Sequence, residues 1–491
     1  MKSGKATLPF PIFLILPMVP LFLVIFLGFC YSQTIAPGLT WAYFSADGGD
    51  LISAVATGGV PHPGGYPLYL ILARIFQFLP VGDLAFRTNL LSEVCMILAV
   101  LLLYVYLLHQ LRNRSLARFS SFLAALIYGL APFVWGQALV TEVYALHGLL
   151  MIICIYVLSV EEGKSNEYFR GVCLGLAAAN HLSSIMIFPL LLVDFEKEAF
   201  ISLPVLAKRS FGVLAGLSLY LILPVRAYFN PPVNWGNAAT FNGFVWLISG
   251  KLYQAYSFNL SMVDMLQRLR AFIGLLLGQF TWIGVLIGIY GVISLTSNRI
   301  RILTFWITGV FLLFSIFYGS NDSQVNLLPV WLCFSIWLGY GLQDLFLWLG
   351  TRTVQMYFAG LLSVLLMLRI LILFPSVDLS RDHRAMDFIN LAFKEIPQNA
   401  IVVVNGDEGI FSLWYGQLAL GMRPDMVIIA EGLLRFDWYS ESLQSTYMQA
   451  NIPDKSNLQV LDLIAANPDR VICYISLDKK IYCKDDLPGF R

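Results

Sequence analysis

Runs of apolar residues long enough to cross a lipid bilayer recur along most of this chain. A bilayer core of about 30 Å needs about 20 such residues per helix. Candidate runs lie at 8–29, 89–108, 119–134, 143–160, 211–228, 272–295, 302–318, 325–347 and 354–374. With 58% hydrophobic and only 12% charged residues, the composition lies far from that of a soluble domain, which carries about 25% charge. Disorder, a lone soluble enzyme domain and nucleic-acid binding driven by net charge are excluded. The chain reads as a polytopic membrane protein.

Positive charge orients the spans. Arg112, Arg114 and Arg118 separate the second and third runs, and Lys164 and Arg170 follow the fourth. Lys208 and Arg209, Arg299 and Arg301, and Arg352 precede later runs. A cytosolic N-terminus preceded by Lys2 and Lys5, with a retained first helix rather than a cleaved signal peptide, satisfies these clusters by simple alternation, except at 171–195. That stretch is one span long, yet both its flanks belong in the cytosol. Two half-helices broken near Asn180-His181 resolve the conflict, and such a break is tolerated only where protein or a cavity shields it. The expectation is a helical membrane protein of about 10–11 membrane helices including a broken pair. The long loops 31–88 and 229–269 then share the outer side with the C-terminus.

The charges divide unevenly. Residues 1–375 hold 20 Lys/Arg and 14 Asp/Glu, whereas 376–491 hold 11 and 16, a net of −5. A membrane domain at 1–375 is therefore followed by a soluble extracytoplasmic domain at 376–491. Its pattern alternates helix 380–396, strand 400–404, helix 408–420, strand 426–430 and a late strand 470–475. This spells a small α/β unit with parallel strands, and it lacks a glycine-rich phosphate loop. Cys473 and Cys483 lie in this polar tail and can pair outside the cytosol; the other five cysteines sit in apolar stretches.

The first long loop is the most unusual segment. Asp47 and Asp50 bracket Gly48-Gly49, and a turn of helix there puts both carboxylates on one face. Two carboxylates at a membrane interface can deprotonate an acceptor hydroxyl or orient a second group. The structural alternative is that Asp47 caps a short helix and Asp50 is solvated. His62, between two prolines, is either a turn residue or a contact to phosphate or substrate. Glu142, His181 and Arg226 sit where the bilayer makes charge costly, which marks them as functional candidates unless they pair for structure. Trp235 and the run 251–256 add aromatics that anchor at the interface or stack on sugars. Asn321-Asp322 reads as a turn.

Together these segments resemble a bacterial membrane family whose eukaryotic relative is a transmembrane O-mannosyltransferase of plexin-type receptor domains. The resemblance rests on Asp47-Gly-Gly-Asp50, His62-Pro-Gly-Gly-Tyr66-Pro-Leu and Arg87-Thr-Asn89-Leu-Leu-Ser. It continues through Trp135-Gly-Gln-Ala-Leu-Val-Thr-Glu142-Val-Tyr, Gly175-Leu-Ala-Ala-Ala-Asn180-His181, Leu223-Pro-Val-Arg226 and Pro231-Pro-Val-Asn-Trp235-Gly. In the tail it takes in Asn405-Gly-Asp-Glu, Trp414-Tyr415, Arg423-Pro-Asp425 and Asp437-Trp438-Tyr439. The family pattern is Asp-Ser-Gly-Glu and His-Pro-Pro-Gly-Tyr-Pro; here Asp50 replaces the Glu and is one methylene shorter.

The resemblance implies a GT-C fold glycosyltransferase of a bacterial plasma membrane that takes a sugar from a polyprenyl-phosphate carrier. Asp47 falls at the general base and Asp50 at the second acidic position. His62, Tyr66, Glu142, His181, Arg226 and Trp235 are the expected substrate- and donor-phosphate-binding residues. A single inverting displacement on a protein or glycan hydroxyl is expected, with no cofactor and no divalent metal. A transporter or lipid flippase is the second reading, and a non-catalytic scaffold presenting the tail is the third. An acidic pair in an outer loop rather than at mid-bilayer argues against transport.

Overall fold

A computed structural model describes residues 18–112, 114, 116–160, 166–194, 199–257 and 260–483. Lys2, Lys5 and Lys164, the start of the first apolar run and the end of the stretch 171–195 lie outside these residues. Among the described residues, six helices are long and apolar enough to span a membrane: Leu84–Leu111, Leu203–Tyr228, Met262–Ser294, Asn298–Phe317, Ser323–Trp348 and Arg352–Val377. Shorter apolar helices stand at Met18–Thr34, Pro67–Gln77, Tyr144–Ser159 and Leu182–Leu192. The central helix, Leu328–Trp348, is almost wholly buried by its neighbours. It meets Met262–Ser294 so closely that a Cβ on Gly291 would lie 1.8 Å from the Trp337 carbonyl oxygen, and one on Gly341 would lie 2.0 Å from that of Ile287. Small residues at such crossings let backbones touch, which is how helices associate in lipid.

The run expected as one helix over 119–134 is two, Ala117–Gly129 and Pro132–Ala138, bent by 68°. Pro132 is the cause: it disfavours helical backbone at the preceding residue, and Ala131 is extended (φ −65°, ψ 131°). A second break falls at His181, as the charge argument requires. Glu167–Asn180 ends there, His181 is extended (φ −149°, ψ 125°), and a 3-10 helix Leu182–Leu192 carries the chain on.

The C-terminal unit is a four-stranded sheet of β1 (Ile401–Val404), β2 (Val427–Ala430), β3 (Ile472–Ile475) and β4 (Ile481–Cys483) in the order β2-β1-β3-β4. The first two pairings are parallel and the last antiparallel. Every residue of β1 and β2 is buried, which is why both read as unbroken apolar runs rather than alternating ones. The edge strand β4 escapes a hydropathy reading because it is short and half-exposed. Cys473 and Cys483 face each other across β3 and β4 and form a disulfide.

Candidate active site

Two helices meet at the site, α1 (Gly48–Thr57) from the first long loop and α2 (Asp407–Trp414) from the C-terminal unit. Their approach explains Gly49. A Cβ there would lie 2.2 Å from the Phe411 carbonyl oxygen, so the residue is small for packing, not to permit a turn. Trp41 Nε1 donates to Ser412 Oγ at 3.0 Å, and the Tyr415 hydroxyl donates to Asp83 at 2.8 Å. The C-terminal unit is thereby pinned over the loop.

Asp47 precedes α1 at its N-cap position but makes no capping bond, so its carboxylate stays available. The chain before it is tightly turned: Tyr43 and Phe44 have φ of 53° and 66°, and Ser45 Oγ donates to the Thr141 carbonyl at 3.0 Å. Asp50, in the first turn of α1, is fully buried. Its carboxylate accepts the His62 backbone N–H at 2.9 Å and Trp235 Nε1 at 3.0 Å, and His62 Nδ1 lies 2.7 Å away. The other ring nitrogen, Nε2, lies 3.5 Å from Asp47. His62 thus bridges a sealed carboxylate and an open one: the Asp47 side chain keeps 35% of its surface accessible, against 0% for Asp50.

The loop bearing His62 is fixed from below. Val60 donates to the Val233 carbonyl at 2.8 Å and Trp235 N–H to the Val60 carbonyl at 3.1 Å, which sets the Trp235 indole onto Asp50. Arg226 Nε and Nη2 donate to the carbonyls of Ala54, Gly58 and Gly59 at 2.7–3.1 Å. These are carbonyls at and just beyond the end of α1, and a cation there completes the helix terminus. Arg226 therefore braces α1, and the expected phosphate contact is not what its geometry displays.

Burial pushes the Asp47 carboxyl up to about 6, opposed by His62 and reinforced by the charges of Asp407 and Asp50. Burial alone would neutralise His62, yet Asp47 and Asp50 overcome it and raise the imidazolium to about 9. At neutral pH the ring is a cation between two carboxylates, and Asp47 is ionised. That is the state a general base needs.

Other expected residues gather around this core. Tyr66 meets the His62 ring edge-on at 5.0 Å between centroids, and its hydroxyl donates to the Pro63 carbonyl at 3.2 Å. His181, at the helix break, lies 6.2 Å from the Tyr66 ring and holds Ser183 Oγ at 2.7 Å. Glu142 is buried; Oε2 accepts the Val143 N–H at 3.3 Å, and Oε1 has no partner among the described residues. Two further carboxylates join the site through tertiary packing, and the sequence assigns neither a role there. Asp407, within the Asn405-Gly-Asp-Glu segment and at the start of α2, and Asp322, in the expected turn, both lie within electrostatic reach of Asp47.

Next to this site runs an apolar groove of about 370 Å³ lined by Met186, Ser257, Val310, Leu313, Phe314, Phe317 and Tyr318. It opens between the 3-10 helix Leu182–Leu192 and Asn298–Phe317, and Tyr318 is close enough to Asp47 to feel its charge.

A helical membrane body with a carboxylate-bearing first loop, a broken helix beside it and a small α/β unit closing the cleft defines a multi-pass membrane protein with a GT-C-like fold. Solved structures agree on the fold: ArnT from Cupriavidus metallidurans, bound to undecaprenyl phosphate, aligns with TM-score 0.56 at 10% identity over 94% of this chain and 93% of that one. The apo state of the same protein gives 0.58 at 12% identity, with the same coverage. At the sequence level the chain is similar to proteins described as TMEM260 O-mannosyl-transferases. Residues 47–197 match the model of the protein O-mannosyl-transferase TMEM260 N-terminal domain, and 385–472 match TMEM260-associated domain 2. Protein O-mannosyl-transferase TMEM260 of Mus musculus is 25% identical over 435 residues, 80% of this chain. Its Dictyostelium discoideum counterpart is 23% identical over 483 residues, 86% of this chain. The chain spans 60% and 58% of the lengths of these relatives.

Proposed function

We propose that this protein is an integral-membrane glycosyltransferase that moves a sugar, mannose by analogy with its named relatives, from a polyprenyl-phosphate carrier to a hydroxyl on an extracytoplasmic acceptor. The observation that carries the reading is the Asp50–His62–Asp47 chain, whose one open carboxylate stands beside an apolar groove. The isoprenoid tail occupies the groove, and the sugar phosphate lies between Tyr318 and Asp47. Asp47 accepts the acceptor proton as the hydroxyl oxygen attacks the anomeric carbon. The bond from that carbon to the phosphate oxygen breaks on the opposite face, inverting the centre and releasing polyprenyl phosphate. Asp50 positions His62, and His62 holds Asp47 in its ionised form. With Arg226 engaged by backbone carbonyls, the leaving phosphate is met by hydrogen-bond donors: His181, Tyr144, whose ring lies 5.4 Å from that of His181, and Tyr253, whose ring lies 6.5 Å from that of His62. The reading invokes no divalent ion, so turnover in EDTA should equal turnover without it.

The test is turnover of a polyprenyl-phosphate mannose by purified protein in lipid nanodiscs, comparing wild type with Asp47→Asn. Loss of a general base lowers the rate by about 100-fold or more, so carrier release should nearly vanish in a variant that stays folded. Undiminished release would remove Asp47 from the base role.

A further inference from the structure

The sequence offers Asp50 as the second acidic residue of the site, but the structure seals it. Its carboxylate is enclosed by His62 and Trp235 and is 0% exposed, so it reaches no substrate. Another carboxylate stands open in its place. Asp407 begins α2, which lays its Phe411 carbonyl against Gly49 in the first turn of α1. Asp407 is exposed, and among the described residues its carboxylate has no hydrogen bond or ion pair. The adjacent Glu408 differs: Lys479 neutralises it, and the same ammonium sits 4.4 Å over the Trp41 ring. Leu477 backs the turn, because a Cβ on Gly406 (φ +91°) would lie 2.7 Å from its side chain. The turn is held, and its charge lies within electrostatic reach of Asp47.

The cleft also holds a buried oxygen that has no partner among the described residues: Oε1 of Glu142, a side chain 3% exposed. The preceding Thr141 carbonyl abuts Gly48, 3.2 Å from a Cβ built there, which places this orphan acceptor next to Asp47. A buried oxygen left without a donor marks a place where a donor from elsewhere belongs. The apolar groove lies on the Tyr318 side, so the Asp407 side remains for the acceptor.

We infer that Asp407 of the C-terminal unit is a specificity-determining residue on the acceptor side of the cleft, favouring acceptor segments with a cationic side chain beside the reacting hydroxyl. This rests on the transferase reading above. His62 offsets Asp50, and Lys479 offsets Glu408. Arg268, bonded to the Tyr318 and Ser320 carbonyls, stands beside Asp322; Asp47 and Asp407 then leave the acceptor side negative, and a unit with a net charge of −5 forms its roof. A positive segment is drawn in and a negative one repelled.

The experiment uses the full chain in nanodiscs with polyprenyl-phosphate mannose and two threonine peptides of equal length, one flanked by lysines and one by glutamates. Rates and peptide binding are measured for wild type and Asp407→Asn. Wild type should prefer the lysine peptide by about fivefold or more in kcat/KM, and high salt should shrink that ratio. Asp407→Asn should lose most of the preference through a higher KM for the lysine peptide, while its midpoint of thermal unfolding stays at the wild-type value. An unchanged preference in Asp407→Asn overturns the inference. So does a lowered midpoint, which would make the residue structural. If wild type turns over no carrier, the transferase reading fails. The lysine-to-glutamate ratio in peptide binding, compared between wild type and variant, then decides on Asp407 alone.

Discussion

Protonated Asp47 cannot take a proton from an acceptor, so its ionisation sets the acidic limb of activity. With the carboxyl pushed up to about 6, kcat/KM should rise through pH 6 and level off near neutrality, a curve that carrier turnover across buffers would trace. His62 opposes this upward push, so its removal has a definite sign. In His62→Gln the limb should move to higher pH, whereas a downward or absent shift would show that the imidazolium does not act on Asp47. Trp235→Phe removes one of the donors to a buried carboxylate and should destabilise the protein by about 1–3 kcal/mol, read as a lower midpoint in thermal unfolding. Asp47, His62 and Trp235 were visible in the sequence because rare polar and aromatic residues cluster in an otherwise apolar chain. What Asp50 and Arg226 do was not. Burial of one and backbone capping by the other depend on contacts between the loops 58–66 and 226–235, and no local pattern encodes those.

At the scale of elements, the apolar runs marked the long membrane helices and the alternation of the tail marked its three parallel strands, β4 excepted. The bend at Ala131 escaped because the surrounding residues stay apolar on both sides of Pro132, and hydropathy registers composition rather than direction. The charge clusters did reveal the other break, at His181, since topology has to close. The contact between α1 and α2 was also hidden, and it carries a sharp consequence. A methyl group on Gly49 would collide with the Phe411 backbone carbonyl, which cannot rotate away as a side chain can. Gly49→Ala should therefore loosen the C-terminal unit and cost about 1–3 kcal/mol, the usual price of overpacking. Limited proteolysis should cut faster in the connection around Asp378–His383, and transfer should fall. A variant as resistant as wild type would mean that the two helices do not bear on each other in solution.

The whole molecule is organised by which side of the membrane each polar part occupies. The reading places the first loop, the groove mouth and the C-terminal unit together on the extracytoplasmic side, where acceptor and carrier headgroup meet. The disulfide supplies an independent handle, since such bonds persist in oxidising compartments and are rare in the cytosol. Six of the seven cysteines are buried, five of them free and the sixth Cys473, while Cys483 at the sheet edge is half-buried and masked only by its bond to Cys473. In intact cells, a membrane-impermeant thiol reagent should label the chain at Cys483 only after an impermeant reductant has opened that bond. Serine at Cys483 should abolish the signal. Labelling that instead requires permeabilised cells, with no need of reductant, would place the unit in the cytosol. The cleft would then face the compartment opposite to the one this reading requires, and the acceptor side would have to be reassigned with it.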